Sequence, residues 1–335
     1  MSRKWLIITS VLLVILLIWF ERKEKNLYHS SEKLNTGSNT VAEPLWSAPD
    51  SNSIPLNDSG ILIRYGKKLI AHTSSYFGPK GSIGHLSNGM NCQNCHLEAG
   101  TKLWAGNFGR VASIFPRFSD RKAGVETVNQ RIRDCFERSM NGTAPDSNSL
   151  ESKAMVAYLL WVGQGVPKGK KPRGTELEIL PFPNHAADTM KGRIIFAQKC
   201  QRCHGANGEG KLKNESEYLY PPLWGSNSYN QSAGLFRLSK FAGFIKDNMP
   251  FGSDYKNEQL NNEEAWDLAA FVNSQVRPGK KFKQDWPNIK LKPVDHPFGP
   301  YADSFSEYQH KYGPFSPIAE AKKTASLSKS SKTTN

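Results

Sequence analysis

Two short motifs carry the sharpest chemistry in this chain: Cys92-Gln93-Asn94-Cys95-His96 and Cys200-Gln201-Arg202-Cys203-His204. Two thiols separated by two residues can each form a thioether to a haem vinyl group, and the histidine that follows can coordinate the iron. Paired thiols also serve redox exchange and zinc binding. Those readings are disfavoured because both pairs carry the adjoining histidine and neither has a second pair nearby to complete a zinc site. The chain holds five cysteines. Two complete motifs therefore predict two covalently bound haem c groups, one on Cys92 and Cys95, the other on Cys200 and Cys203, with His96 and His204 as proximal iron ligands.

The sixth ligand separates an electron carrier from a catalyst. For the second haem the candidate is Met249, in a Met-Pro turn shortly before the last helix of its unit. The first haem has two candidates. Met140 precedes Tyr158 by nearly the interval that separates Met249 from Trp266, which favours Met140 and leaves Cys135 as a buried thiol. Against this, a leftover thiol in a protein outside the cytoplasm tends to be oxidised or functional. Arg131, Cys135 and Ser139 also recur at i, i+4 and i+8, one helix face, with Arg138 beside them. Cationic neighbours favour the thiolate, the form that ligates iron and attacks sulfur. The same arginines would equally suit a solvated helix face, so both assignments stay open.

Four segments, residues 73–78, 92–101, 115–121 and 131–142, resemble the dihaem thiosulfate dehydrogenases, also described as bifunctional tetrathionate reductases. The resemblance runs over residues 60–277, and residues 131–142 are its most specific part. It implies that Cys135 is the axial ligand of the first haem, in an active site shared with Arg121, Arg131 and Ser139, and that His204 and Met249 hold the second iron. Some family members place Lys immediately before the methionine; here Asn248 stands there, with Lys246 close by, so a Lys-to-Met ligand switch at that position is not expected. The implied reaction joins two thiosulfate ions into tetrathionate, reversibly, with release of two electrons. The second haem would relay them to a cytochrome or quinone-linked partner.

The residue types suit that chemistry. Arginines bind compact dianions through charge-assisted, partly bidentate hydrogen bonds and offset the repulsion between two of them. Cys135 is a candidate to carry a thiosulfonate adduct. Other classes predict different things: a non-catalytic dihaem electron carrier has a His/Met pair at both irons and an idle Cys135. A dihaem peroxidase needs a distal acid–base group, for which only His72 and His85 are available. A sulfur-carrier haem subunit would need a partner to turn over.

The elements that must hold these residues form two similar sets, so the expected fold is mainly α, with two class I cytochrome c-like domains joined by a linker. In the second domain (187–277), 189–199 reads as a helix running into the haem motif and 263–272 as the closing helix, with small and aromatic residues suited to a close crossing. The first domain (59–165) is longer, with helices expected over 61–72, 126–140 and 152–162 and Asn141-Gly142 as a C-terminal cap. Residues 26–58 read as a tether, 166–186 as a Pro/Gly-rich basic linker, 278–318 as a wrapping segment and 319–335 as a disordered tail.

At the N-terminus, Arg3 and Lys4 precede the uncharged run 5–20, the order of a signal peptide or a signal anchor within 1–25. The run is short for a ~30 Å hydrocarbon core, yet no small-residue cleavage site follows. An uncleaved helix tethering a periplasmic body to the inner membrane is favoured over cleavage. A net charge of +14 suits anions, an acidic partner or a membrane surface; nucleic acid is disfavoured because covalent haem belongs outside the cytoplasm.

Overall fold

The helix boundaries follow from local capping chemistry. In the computed structural model, which describes residues 44–330, α1 (Asp58–Ala71) starts where the Asn57 side chain accepts the Gly60 amide. Helix α2 (Val128–Arg138) starts at a reciprocal box between Thr127 and Gln130, and α3 (Leu150–Val162) at Ser149, whose hydroxyl accepts the Ser152 amide. In the second unit, α4 (Thr189–Lys199) is capped by Asp188. Helix α5 (Leu238–Asn248) ends at Met249. Helix α6 (Asn262–Ser274) is capped by a box between Asn261 and Glu264. Among the described residues strands are confined to two small hairpins, of which Arg117–Ser119 with Gly124–Glu126 leads into α2.

Both units use one packing device. The first and last helices cross so closely that a Cβ at Gly66 would stand 2.0 Å from the Ala154 carbonyl oxygen, and one at Gly192 2.0 Å from that of Asp267. No other residue fits either crossing. Around the first crossing lie Leu69, Ile70, Phe136, Met155 and Tyr158, all fully or nearly fully buried, and around the second Leu238, Trp266, Leu268, Phe315 and Ile318. The Tyr158 hydroxyl donates to Ala99 O at 3.0 Å and Trp266 Nε1 to Pro181 O at 3.0 Å, so neither large aromatic carries an unpaired polar atom into the core.

Three of the structure's departures from the sequence expectations concern local structure. The expected tether is packed from residue 44 onward: Trp46 and Ile54 are buried in the first core, and the Trp46 amide donates to Arg173 O. Two large apolar side chains in a polar stretch supply the driving force. The expected disordered tail is helical as far as Ser330, as α7 (Ser316–Ser330). Phe315 and Ile318 anchor its start in the second core, and the Ala and Lys that follow are good helix formers. The helix expected over 126–140 is shorter at both ends, because Glu126 belongs to a strand and Thr127 is the cap. Its end does use Asn141 in a left-handed conformation (φ 45°), with Gly142 N donating to Phe136 O. Among the described residues no helix is long and apolar enough to cross a membrane. The apolar run 5–20 lies outside them.

Candidate active site and haem sites

The first Cys-x-x-Cys-His motif is a tight turn in which the Cys95 and His96 amides both donate to Cys92 O. Asn91 opens it by accepting the Ser74 amide, and Thr73 fixes Cys92 by accepting its amide at 3.1 Å. The second motif repeats the turn, with the Cys203 and His204 amides donating to Cys200 O. In both, Nδ1 of the histidine donates to a backbone carbonyl, Gly106 O at 2.5 Å for His96 and Pro221 O at 2.9 Å for His204. Burial lowers both imidazole pKa values. Each ring is thus held neutral with Nε2 bare, the form and orientation an iron ligand needs. Burial also pushes the Cys92 and Cys95 thiols up to about 12, so neither is a ready thiolate on its own.

Next to the first motif is a cavity of about 750 Å³, within the ~300–1,000 Å³ usual for cofactor sites. Its wall contains Cys92, Cys95 and His96 on one side and Cys135, Ser139 and Met140 from α2 and its end on another, with Ile70, Val128, Ile132 and Leu159 as apolar lining. A flat apolar macrocycle attached at two thiols fits such a space. Both sequence candidates for the distal ligand therefore face one cavity. Met140 also belongs to the first hydrophobic core, whereas Cys135 adds to the burial that raises the pKa of both attachment thiols.

Arg121 and Arg131 line the same cavity, so the four expected catalytic side chains come together. Burial raises the Cys135 thiol pKa while Arg131 pulls it down, and Cys135 is in turn the largest influence raising that of Arg131. Arg121, held by Ser232 O at 3.3 Å and lying over Trp286, is lowered to about 10 by burial and by Arg138 and Arg131. Such a crowd of cations favours an anion among them. Arg138 adds only its charge: both its terminal nitrogens are committed to Asp285, at 2.6 and 2.8 Å. His85 is exposed and His72 pairs with Glu217 at 3.1 Å; neither lines the cavity, which leaves the peroxidase reading without its acid–base group.

Sequence reasoning missed the residues that the second unit sends to this cavity. Tyr229, Leu235, Lys240 and Phe244 close it, and Arg110 joins Lys240 on its cationic wall. Burial lowers the pKa of both, Arg110 to about 10. Arg110 is ion-paired with Glu176. These positions have no local signature, because the cavity they close is walled by residues of both units. At the second site, Cys200, Met249, Leu223 and Trp224 each pack against the second core, and His204 is 8% exposed. Its donor set, two thiols, a neutral imidazole and a thioether, suits a haem with two axial ligands.

Residues 189–275 match the cytochrome c family, and residues 84–167 match the family described as SoxA/TsdA, cytochrome c domain. The chain is 37% identical to the thiosulfate dehydrogenase of Psychrobacter arcticus over 257 residues, 75% of either protein. The chain belongs to the thiosulfate dehydrogenase family. Another member, from Allochromatium vinosum, is 37% identical over 236 residues, 69% of this chain and 84% of the relative. Among solved structures, the as-isolated thiosulfate dehydrogenase (TsdBA) of Marichromatium purpuratum superposes with a TM-score of 0.66 at 31% identity. That match covers 73% of this chain and 52% of that one, so this chain spans about half its length. The family carries covalently bound c-type haem, and the two attachment motifs, one in each matched domain, accommodate two such groups.

Proposed function

We propose that this chain oxidises thiosulfate at the cavity beside the first Cys-x-x-Cys-His motif, joining two of the dianions sulfur to sulfur as tetrathionate and releasing two electrons. The observation that carries this reading is the convergence of Cys135, Arg131, Ser139 and Arg121 on the cavity that holds Cys92, Cys95 and His96. Its support is the family's chemistry together with the cationic wall. Cys92, Cys95 and His96 would hold the first haem, with Cys135 as distal ligand; Cys200, Cys203, His204 and Met249 would hold the second. Haem supplies a one-electron acceptor at each iron, so two haems match the two electrons that a new sulfur–sulfur bond releases.

The chain's own residues do the rest. Arg131 and Arg121 neutralise and orient the sulfonate groups, and the burial around them strengthens each contact by keeping water away. Ser139, one turn beyond Cys135, adds a hydroxyl donor at the same face. Cys135 presents a sulfur of the substrate's own kind within the field of Arg131, where a thiosulfonate adduct would form with loss of two electrons and be displaced by a second thiosulfate, releasing tetrathionate and the free thiolate. The second unit passes electrons to a partner on the periplasmic side, where covalent haem is assembled. The reverse reduction of tetrathionate uses the same residues.

A second reading, a dihaem electron carrier, is favoured by one observation: Met140 lines the same cavity. The oxidised protein's electron paramagnetic resonance spectrum separates the two, because thiolate and thioether ligation give different low-spin signals. The expected result is a thiolate signal that disappears in Cys135→Ala together with turnover of thiosulfate and tetrathionate, both haems remaining attached. No turnover of thiosulfate or tetrathionate by the wild-type protein, with the ligation signal unchanged in Cys135→Ala and lost instead in Met140→Ala, would make the chain a carrier and its fifth cysteine incidental.

A further inference from the structure

The two iron sites are joined by an unbroken path of covalent and hydrogen bonds. His96 Nδ1 donates to Gly106 O at 2.5 Å. Two residues upstream in the same loop, the Trp104 carbonyl accepts from Asn248 Nδ2 at 3.2 Å. Asn248 is the last residue of α5, and Met249 follows it directly. The Asn248 side chain also donates to Phe244 O at 3.0 Å, one turn back in α5, which fixes its rotamer; the residue is 2% exposed. A two-donor amide is spent entirely on backbone carbonyls, one in each unit, and its Oδ1 is left without a partner. Leaving a buried acceptor unpaired is costly. The donor side of the amide is therefore what the site needs.

The loop it grips needs holding. Trp104 sits at φ 56° and Gly106 at φ 58°, and a left-handed tryptophan persists only where neighbours fix it. Trp104 N donates to Gly174 O at 2.9 Å, and the Asn248 amide takes the carbonyl. Releasing that carbonyl frees the peptide plane two residues from the acceptor of His96.

We propose that Asn248 is a positioning residue that ties the seat of Met249 to the seat of His96, so that the distal ligand of the second haem and the proximal ligand of the first are held as one unit. This rests on the reading of Met249 and His96 as iron ligands. Two consequences follow. Without the amide, Met249 is more easily displaced from its iron, and the Gly106 carbonyl no longer holds His96 at a fixed strength, which shifts the potential of the first haem although Asn248 touches neither group.

The test uses the full-length protein with both haems attached. Asn248→Leu keeps the branched shape and removes the donor; Asn248→Ala is the smaller change should the leucine variant fail to assemble. Imidazole is titrated against the second haem by loss of the methionine–iron charge-transfer band, and both haem potentials are resolved by redox titration. In either variant imidazole binds the second haem about tenfold tighter, the worth of roughly one buried hydrogen bond, and the potential of the first haem moves as well. Wild-type imidazole affinity, or a first-haem potential that stays put, overturns the tie. Met249→Ala separates this failure from that of the assignment beneath it: a methionine–iron band that survives that substitution means that Met249 is not the ligand, whereas a band abolished by it, with imidazole affinity unmoved in the Asn248 variants, removes only the role of Asn248.

Discussion

Arg131 is the side chain whose removal isolates substrate binding from haem chemistry. It lies on the same face of α2 as Cys135, and among the described residues no protein hydrogen bond or ion pair engages its guanidinium, in contrast to Arg138, whose forked pair with Asp285 makes it structural. Arg131→Ala should lower kcat/KM for thiosulfate by about 10- to 100-fold, the worth of one hydrogen bond to a charged group, while the spectrum of the first haem keeps its ligation signature. Loss of that signature would mean that Arg131 holds Cys135 in place and does not act on the substrate. The sequence already pointed to this residue through its helical spacing from Cys135 and through the family resemblance. What it did not show is the partner that makes Arg138 structural, since Asp285 is far away in the chain and brought alongside only by the fold.

At the level of elements, the haem motifs are legible because each is closed by bonds within five residues, and the helices because their caps are local: Thr127 with Gln130, Asn261 with Glu264. What the sequence left open was how tightly helices cross. Gly66 and Gly192 are the positions where that is decided, because the opposing atom is a backbone carbonyl that cannot turn aside. Gly192→Ala should therefore part α4 and α6 and destabilise the second unit by about 1–3 kcal/mol, read as a lower denaturant midpoint and a smaller share of protein carrying the second haem after maturation. A stability equal to wild type would show that the crossing has slack and that glycine at this position has another cause. The helical course of 319–330 escapes the sequence for a related reason: Phe315 and Ile318, which anchor it, look isolated in a polar stretch, and only the second core explains them.

Over the whole molecule, the segment expected to act as a linker is part of the body. Thr175 and Leu180 are buried, and Ser113 Oγ donates to Lys170 O at 2.5 Å. Asn88 and Ser228, Asn230 and Glu137, Lys280 and Gly142 join the units by further side-chain to backbone bonds. The cavity beside Cys135 is consequently a property of both units, and so is its charge. Arg121, Arg131 and Lys240 face it without an ion-pair partner among the described residues, in a chain whose formal charge is +14. A cleft lined by one sign of charge draws in ions of the other sign faster than diffusion alone delivers them. Thiosulfate is a dianion, so kcat/KM should fall several-fold as a chloride salt is raised from about 0.01 to about 0.1 M, where the Debye length contracts from ~30 to ~10 Å. Reduction of the haems by a small neutral reductant serves as the control, because it feels no field. Equal salt dependence for the two would assign the effect to the haems or to the fold, and a flat response to salt for thiosulfate would mean that the cationic wall serves the bound cofactor and leaves the approaching substrate unguided.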